Sequence, residues 1–286
     1  MSSSDTTETP CELLNWFDSP GPHRPLLVIG GPCVLEDSET NLQIGRCLQE
    51  ACADLGMPYV FKASFDKANR SSIGSPRGPG LKQGIEILAE VGRLIGAPTC
   101  TDVHLPEQAE EVARHTSLLQ IPAFLCRQTD LLTAVAETGR PVSVKKGQFL
   151  APEQMSNVIG KLHAAGGARV MLTERGTFFG YERLVNDFIG LGDLMELGAR
   201  HGAPVCFDVT HSTQLPGASS TQTGGRPDRA ELLAKAAVAA GVDALFLECH
   251  PDPAKGGSDS ATMLPLEEVP VLLKKIVAIR RALTSS

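Results

Sequence analysis

The sequence predicts a closed (β/α)8 barrel preceded by a short N-terminal extension. Three observations carry that expectation. Eight short, β-branched apolar runs alternate with segments of helical period. The runs are almost continuously apolar, as strands of a parallel sheet covered on both faces are. The chain has 286 residues, an ordinary length for one such barrel.

The candidate strands are Leu26 to Ile29, Tyr59 to Ala63, Thr99 to Val103 and Leu118 to Ile121. Val142 to Lys145, Arg169 to Thr173, Val205 to Val209 and Ala244 to Leu247 complete the eight. Between the first two, Ile44, Leu48, Ala51 and Leu55 share one helix face. After the eighth, Leu272, Ile276, Ile279 and Leu283 share another. Gly56, Gly96, Gly202 and Gly241 stand just before strands, where helix C-caps belong. A doubly wound open sheet is the alternative, but Gly30-Gly31-Pro32 does not form the glycine-rich phosphate loop expected after its first strand. No internal repeat and no second domain are apparent. Residues 1–24 read as a partly ordered extension and residues 25–286 as the barrel.

Composition narrows the function. Apolar residues make up 42% and charged residues 21%, which suits a globular domain with an ordinary surface. A net charge of −7 argues against a general binder of nucleic acid or anionic membrane. No run approaches the roughly 20 apolar residues of a membrane span, and Met1 to Pro10 lacks a secretory pattern. A cytoplasmic protein is expected. Cys47, Cys52, Cys100 and Cys206 lie in apolar runs and read as small buried hydrophobes rather than disulfide partners.

A barrel enzyme works at the C-terminal ends of its strands, and here every strand ends in polar residues. Lys62, Lys67, Arg70, Arg127, Lys145 and Arg175 form a basic set. Cations converging on one mouth repel one another unless a multiply anionic ligand lies between them, and phosphate or carboxylate groups suit that place. Taken singly, each is equally well an ordinary strand-end charge. A second set comprises Cys33, His211, Glu248 and Asp259, near the ends of strands one, seven and eight. A thiolate, an imidazole and two carboxylates suit a borderline divalent metal. Their spacing is not a short metal motif. The plain alternatives are a buried small residue at Cys33, a hydrogen-bonded histidine at His211 and a solvated acid at Asp259.

At these residues the chain resembles the 3-deoxy-D-manno-octulosonate 8-phosphate synthase family. The resemblance rests on Tyr59-Val-Phe-Lys-Ala-Ser-Phe-Asp-Lys-Ala-Asn-Arg-Ser-Ser72 and Arg77-Gly-Pro-Gly80. It continues through Thr101-Asp-Val-His104, Gln120-Ile-Pro-Ala-Phe124, Arg127-Gln-Thr-Asp-Leu131 and Val144-Lys-Lys146. Glu174-Arg-Gly176, Phe207-Asp-Val-Thr-His211 and Glu248-Cys-His-Pro-Asp-Pro253 extend it toward the C-terminus. It implies a barrel, commonly a homotetramer, that condenses phosphoenolpyruvate with D-arabinose 5-phosphate in the route to lipopolysaccharide. By resemblance, Lys62, Lys67, Gln120, Lys145 and Arg175 contact phosphoenolpyruvate. Asn69, Arg70 and Ser71 contact the pentose phosphate, joined by Arg127 of a neighbouring subunit. Asp102 and His104 lie between the substrates and, with Lys145 and His211, form the catalytic group.

One branch of that family needs a divalent metal, and the other has Asn at the Cys33 position. The Cys implies the metal-dependent branch, with Cys33, His211, Glu248 and Asp259 as ligands for iron, zinc, cobalt or manganese. Gly257-Ser-Asp-Ser-Ala261 departs from the family's usual Asp-Gly-Pro, although Asp259 keeps its offset from Glu248. The nearest rival is the related class that uses erythrose 4-phosphate, which carries Lys-Pro-Arg-Thr where this chain has Lys67-Ala-Asn-Arg-Ser-Ser72. A Schiff-base aldolase through Lys145 or Lys146 and a sugar-phosphate sensor are the readings from other classes.

Overall fold

The structure, a computed structural model, describes residues 9–21, 24–70, 73–216 and 224–284. Eight parallel strands form one sheet: β1 (Leu27–Gly31), β2 (Tyr59–Lys62), β3 (Thr99–Asp102), β4 (Leu118–Ile121), β5 (Val142–Lys145), β6 (Val170–Glu174), β7 (Val205–Asp208) and β8 (Ala244–His250). Each pairs with the next, and β8 returns to β1 in register from Leu27 opposite Ala244 to Gly31 opposite Glu248. The sheet is therefore a closed barrel, as the sequence predicts.

Nine α-helices occur among the described residues: α1 (Cys11–Asp18), α2 (Ser38–Leu55), α3 (Leu81–Ile95), α4 (Ala109–His115), α5 (Thr129–Glu137), α6 (Met155–Ala164), α7 (Phe188–His201), α8 (Ala230–Ala240) and α9 (Val269–Thr284). None is long and apolar enough to cross a membrane. Helices α2 to α9 follow the eight strands in turn and clothe the barrel. Ile44 and Leu48 of α2 are fully buried, as are Leu273 and Ile276 of α9. The predicted α9 face runs out before its end, because Leu283 is exposed. Gly56, Gly96, Gly202 and Gly241 all adopt positive φ, between 66° and 104°, at the C-caps where they were expected. Cys47 is only half-buried.

Strand side chains alternate between two cores. Val28, Phe61, Leu119, Val144 and Leu172 point outward against the helices. Leu27, Ile29, Val60, Cys100, Leu118, Met171, Cys206 and Phe246 fill the barrel interior. Two residues further up the same inward face stand Lys62, Asp102, Gln120, Asp208 and Glu248. The period of two thus converts an apolar floor into a polar ceiling at the C-terminal mouth.

Part of the segment read as an extension belongs to that floor. Leu13, Trp16 and Phe17 of α1 are buried and join the interior cluster, closing the N-terminal end of the barrel. Trp16 Nε1 donates to the Pro25 carbonyl at 2.7 Å. The buried Arg24 guanidinium donates to the carbonyls of Trp16, Phe17 and Ser19 and to Asp243 Oδ1 at 3.0 Å. Sequence periodicity over so short a stretch could not reveal this helix. Trp16→Ala should remove about 3–5 kcal/mol of stability, read as a lower urea midpoint with little change in slope.

Candidate active site

The mouth holds a cavity of about 590 Å³ lined by residues from seven of the barrel strands or the loops just after them. Beneath Lys145 and Lys62 lies Phe246, with Lys145 Nζ 3.8 Å and Lys62 Nζ 5.3 Å from the ring centre. The aromatic face supports both ammonium groups from below. Gly31 permits the tight approach of β1 to β2 beside it, because a Cβ there would meet the Lys62 carbonyl oxygen at 2.1 Å.

One buried network centres on Asp102. Its carboxylate accepts from Ser64 Oγ and Gln120 Nε2, and Lys62 Nζ stands 3.8 Å away. Lys62 also donates to Glu248 Oε1 at 3.2 Å. Burial alone pushes the Asp102 carboxyl up, but Lys62 and Lys67 outweigh it and hold the group well below the usual range. Burial likewise opposes the charge on Lys67, yet Cys33, Glu248 and Asp102 more than restore it.

A second network centres on Asp208. Its Oδ2 accepts from Lys145 Nζ at 2.6 Å and lies 2.8 Å from His211 Nδ1. With Nδ1 donating to this carboxylate, the lone pair of His211 falls on Nε2. Nε2 faces Glu248 Oε2 at 3.5 Å and Asp259 Oδ2 at 3.9 Å, and Cys33 Sγ lies 3.1 Å from the same Asp259 oxygen.

Cys33, His211, Glu248 and Asp259 therefore form the predicted quartet, with one donor atom from each all within 4.8 Å of one another. Its chemistry fits a divalent cation. Glu248 is fully buried, and its Oε2 has no hydrogen-bond partner. Burial pushes the Cys33 thiol well up, and the carboxylate of Glu248 adds to the effect. A cation replacing that proton satisfies the orphaned oxygen and the thiolate together.

The remaining predicted residues divide. Arg175 is buried; its Nη2 donates to Gln214 Oε1 at 2.5 Å, whereas Nη1 has no partner among the described residues. Asn69 and Arg70 line the rim, and Arg70 donates to Gly257 O and Ser258 Oγ. Ser71 lies outside the described residues. Arg127 is exposed and does not line the cavity of its own chain. Lys146 turns away, bonding to the Leu150 carbonyl and pairing with Glu174 at 3.4 Å, which removes it as a Schiff-base candidate.

His104 lines the cavity with Nδ1 buried and unpartnered. Burial lowers its pKa below the ordinary 6.5, despite the opposing pull of Asp102. The unfolded chain takes up this proton near 6.5, and the folded chain only at lower pH. Stability therefore declines as pH falls from 6.5 toward the depressed value. His104→Gln should flatten part of that decline, read by comparing unfolding midpoints of the two proteins between neutral and mildly acidic pH.

Sequence reasoning gave no role to Ser64, Asp208 or Gln148. The first two were legible in principle, since they continue the inward faces of β2 and β7. Gln148 sits in the loop after β5, with Oε1 buried and unpartnered at the cavity wall, and no periodic signal marks it.

A family model described as the DAHP synthetase I family matches residues 18–284, almost the whole chain. The chain belongs to the DAHP synthetase I family. Within it, the chain is 50% identical over 259 residues to a protein of Geobacter metallireducens, covering 91% of this chain and 94% of the relative. It is 51% identical over 252 residues to one from Nitratidesulfovibrio vulgaris, covering 88% and 91%. A Paracidovorax citrulli relative is 48% identical over 265 residues, covering 91% and 92%. All three family members are named 2-dehydro-3-deoxyphosphooctonate aldolase.

Proposed function

We propose that this chain condenses phosphoenolpyruvate with D-arabinose 5-phosphate and water, giving 3-deoxy-D-manno-octulosonate 8-phosphate and inorganic phosphate for lipopolysaccharide synthesis. The observation that carries this reading is one cavity with a cationic wall, into which a four-donor quartet presents His211 and Asp259, in a chain about half identical to relatives named for the octonate product.

Lys62, Lys67, Lys145 and Arg175 orient phosphoenolpyruvate by its phosphate and carboxylate, with Gln120 beside them. Their charges are already fixed by Asp102, Glu248 and Asp208, so little reorganisation accompanies the reaction. Asn69, Arg70 and Ser71 hold the sugar phosphate at the rim. The sugar aldehyde carbon then meets C3 of phosphoenolpyruvate. A bond forms between them as water adds to C2, and the C2–O bond to phosphate breaks. The attacking water loses two protons in all: one balances the proton gained by the aldehyde oxygen, and the second is lost as C2 becomes the keto carbon and leaves with the expelled phosphate. His104, half-buried at the cavity wall with its pKa lowered by burial, is the side chain suited to carry a proton there. Asp102, held far below the usual carboxyl range, fixes Lys62 and Gln120. Cys33, His211, Glu248 and Asp259 would hold a divalent cation of iron, zinc, cobalt or manganese, which would supply Lewis acidity there.

The protein works as a cytoplasmic homotetramer, in which exposed Arg127 serves the pocket of a neighbouring copy. Loss of activity at subunit concentrations that dissociate the assembly is the expected sign of that arrangement.

Phosphate release from phosphoenolpyruvate, followed with arabinose 5-phosphate and separately with erythrose 4-phosphate, tests the proposal. Turnover is expected with the pentose phosphate. Preference for the four-carbon sugar transfers the chain to the rival class, and silence with both in metal-supplied protein leaves a binding protein.

A further inference from the structure

Glu36 lies three residues beyond Cys33 and is held in place by α2. Its backbone N–H donates to Asn41 Oδ1 at 3.1 Å, and its carbonyl accepts from Asn41 Nδ2 at 2.9 Å. The side chain reaches across to the segment after β8. Oε1 accepts the Gly257 N–H at 3.0 Å, and Oε2 lies 3.3 Å from His250 Nε2. Asp252 N–H donates to His250 Nδ1 at 2.9 Å. That assigns the lone pair to Nδ1 and the proton to Nε2, so the imidazole donates to Glu36. The contact is largely shielded from solvent, with side-chain exposures of 7% for His250 and 15% for Glu36.

Gly257 is gripped from the other side as well, because Arg70 Nη2 donates to its carbonyl at 2.7 Å. Two residues later comes Asp259, in the left-handed region at φ 47°. Asp tolerates that conformation better than most residues, and here it aims the carboxylate at Cys33 and His211. One short stretch of chain thus supplies Cys33 and also fastens the loop that delivers Asp259. Neither Glu36 nor His250 lines the cavity.

We propose that Glu36 is a positioning residue for the metal quartet, acting with His250 through the Gly257 backbone to preset Asp259. The proposal rests on the reading of the quartet as a metal site. Without the clip, each capture of the cation by Asp259 must also order the loop, at an entropic cost. The loss then appears chiefly as faster escape of the metal.

The test is release of zinc from the holoenzyme into excess chelator, timed with a metal-sensitive dye. Glu36→Ala is expected to release zinc about 10–100-fold faster, the range found for partners that orient ligands. Glu36→Gln should fall between, since it keeps an acceptor for Gly257 but sets an amide N–H against the imidazole N–H. Adding Glu36→Ala to Asp259→Ala should change nothing further, because both act through one carboxylate. Wild-type rates in Glu36→Ala and Glu36→Gln, or effects that multiply in the double variant, overturn the proposal. Cys33→Ala separates the two layers: if it holds zinc as well as the wild type does, the quartet reading itself falls and the proposal falls with it.

Discussion

Lys145→Ala is expected to lower turnover of phosphoenolpyruvate about 10²–10³-fold, the usual cost of removing one preorganised charge-stabilising donor. Two consequences of the substitution reinforce each other. The substrate loses an ammonium group seated over Phe246, and the fully buried Asp208 loses its 2.6 Å partner. An uncompensated buried carboxylate costs about 3–5 kcal/mol, so stability should fall too. Asp208 also orients His211, so the variant should bind metal less well. Arg175→Ala isolates the substrate contribution, because among the described residues the Arg175 guanidinium donates to neutral Gln214 and leaves Nη1 for the ligand. A rise in KM for phosphoenolpyruvate with a fall in kcat is expected there, whereas Arg175→Lys should recover only part of it. Near-normal kinetics in both Ala variants would remove these residues from the phosphoenolpyruvate site.

Chelation of the metal is expected to have an effect of similar size. Losing several kcal/mol of Lewis-acid stabilisation corresponds to about 10²–10³-fold in rate. Add-back of a divalent cation should restore the wild type. Cys33→Ala should behave like the chelated protein and recover poorly at cation levels that restore the wild type, as Zn²⁺ and its neighbours lose a soft ligand. Turnover that survives thorough chelation keeps the reaction and makes Cys33 an ordinary buried thiol.

Much of this architecture was legible in the sequence, for identifiable reasons. Eight apolar runs with intervening helical periods fix a barrel, because burial on both faces writes itself directly into composition. The quartet is legible as metal-capable side chains near the ends of three neighbouring strands, and the family resemblance joins them as ligands. Legibility failed where local pattern stops. Helix α1 is only eight residues long, and its role depends on the barrel end that receives it. Asp208 and Ser64 were overlooked because their function is to hold other side chains, which only proximity reveals. Lys146 follows Lys145 directly, so the strand alternation sends the two in opposite directions, one over Phe246 and one toward Glu174.

The seating of α1 has a kinetic corollary. With the interior filled by strand side chains and capped at the far end by Leu13, Trp16 and Phe17, the site is a well that opens at the C-terminal mouth. Whatever binds deepest, beside Lys145 and Arg175, must arrive before anything occupies the rim at Asn69 and Arg70, and must wait for the rim to clear before leaving. If the proposed site assignments hold, traffic is expected to be last in, first out, with phosphoenolpyruvate binding first and a sugar phosphate at the rim barring its retreat, as product-inhibition patterns would read.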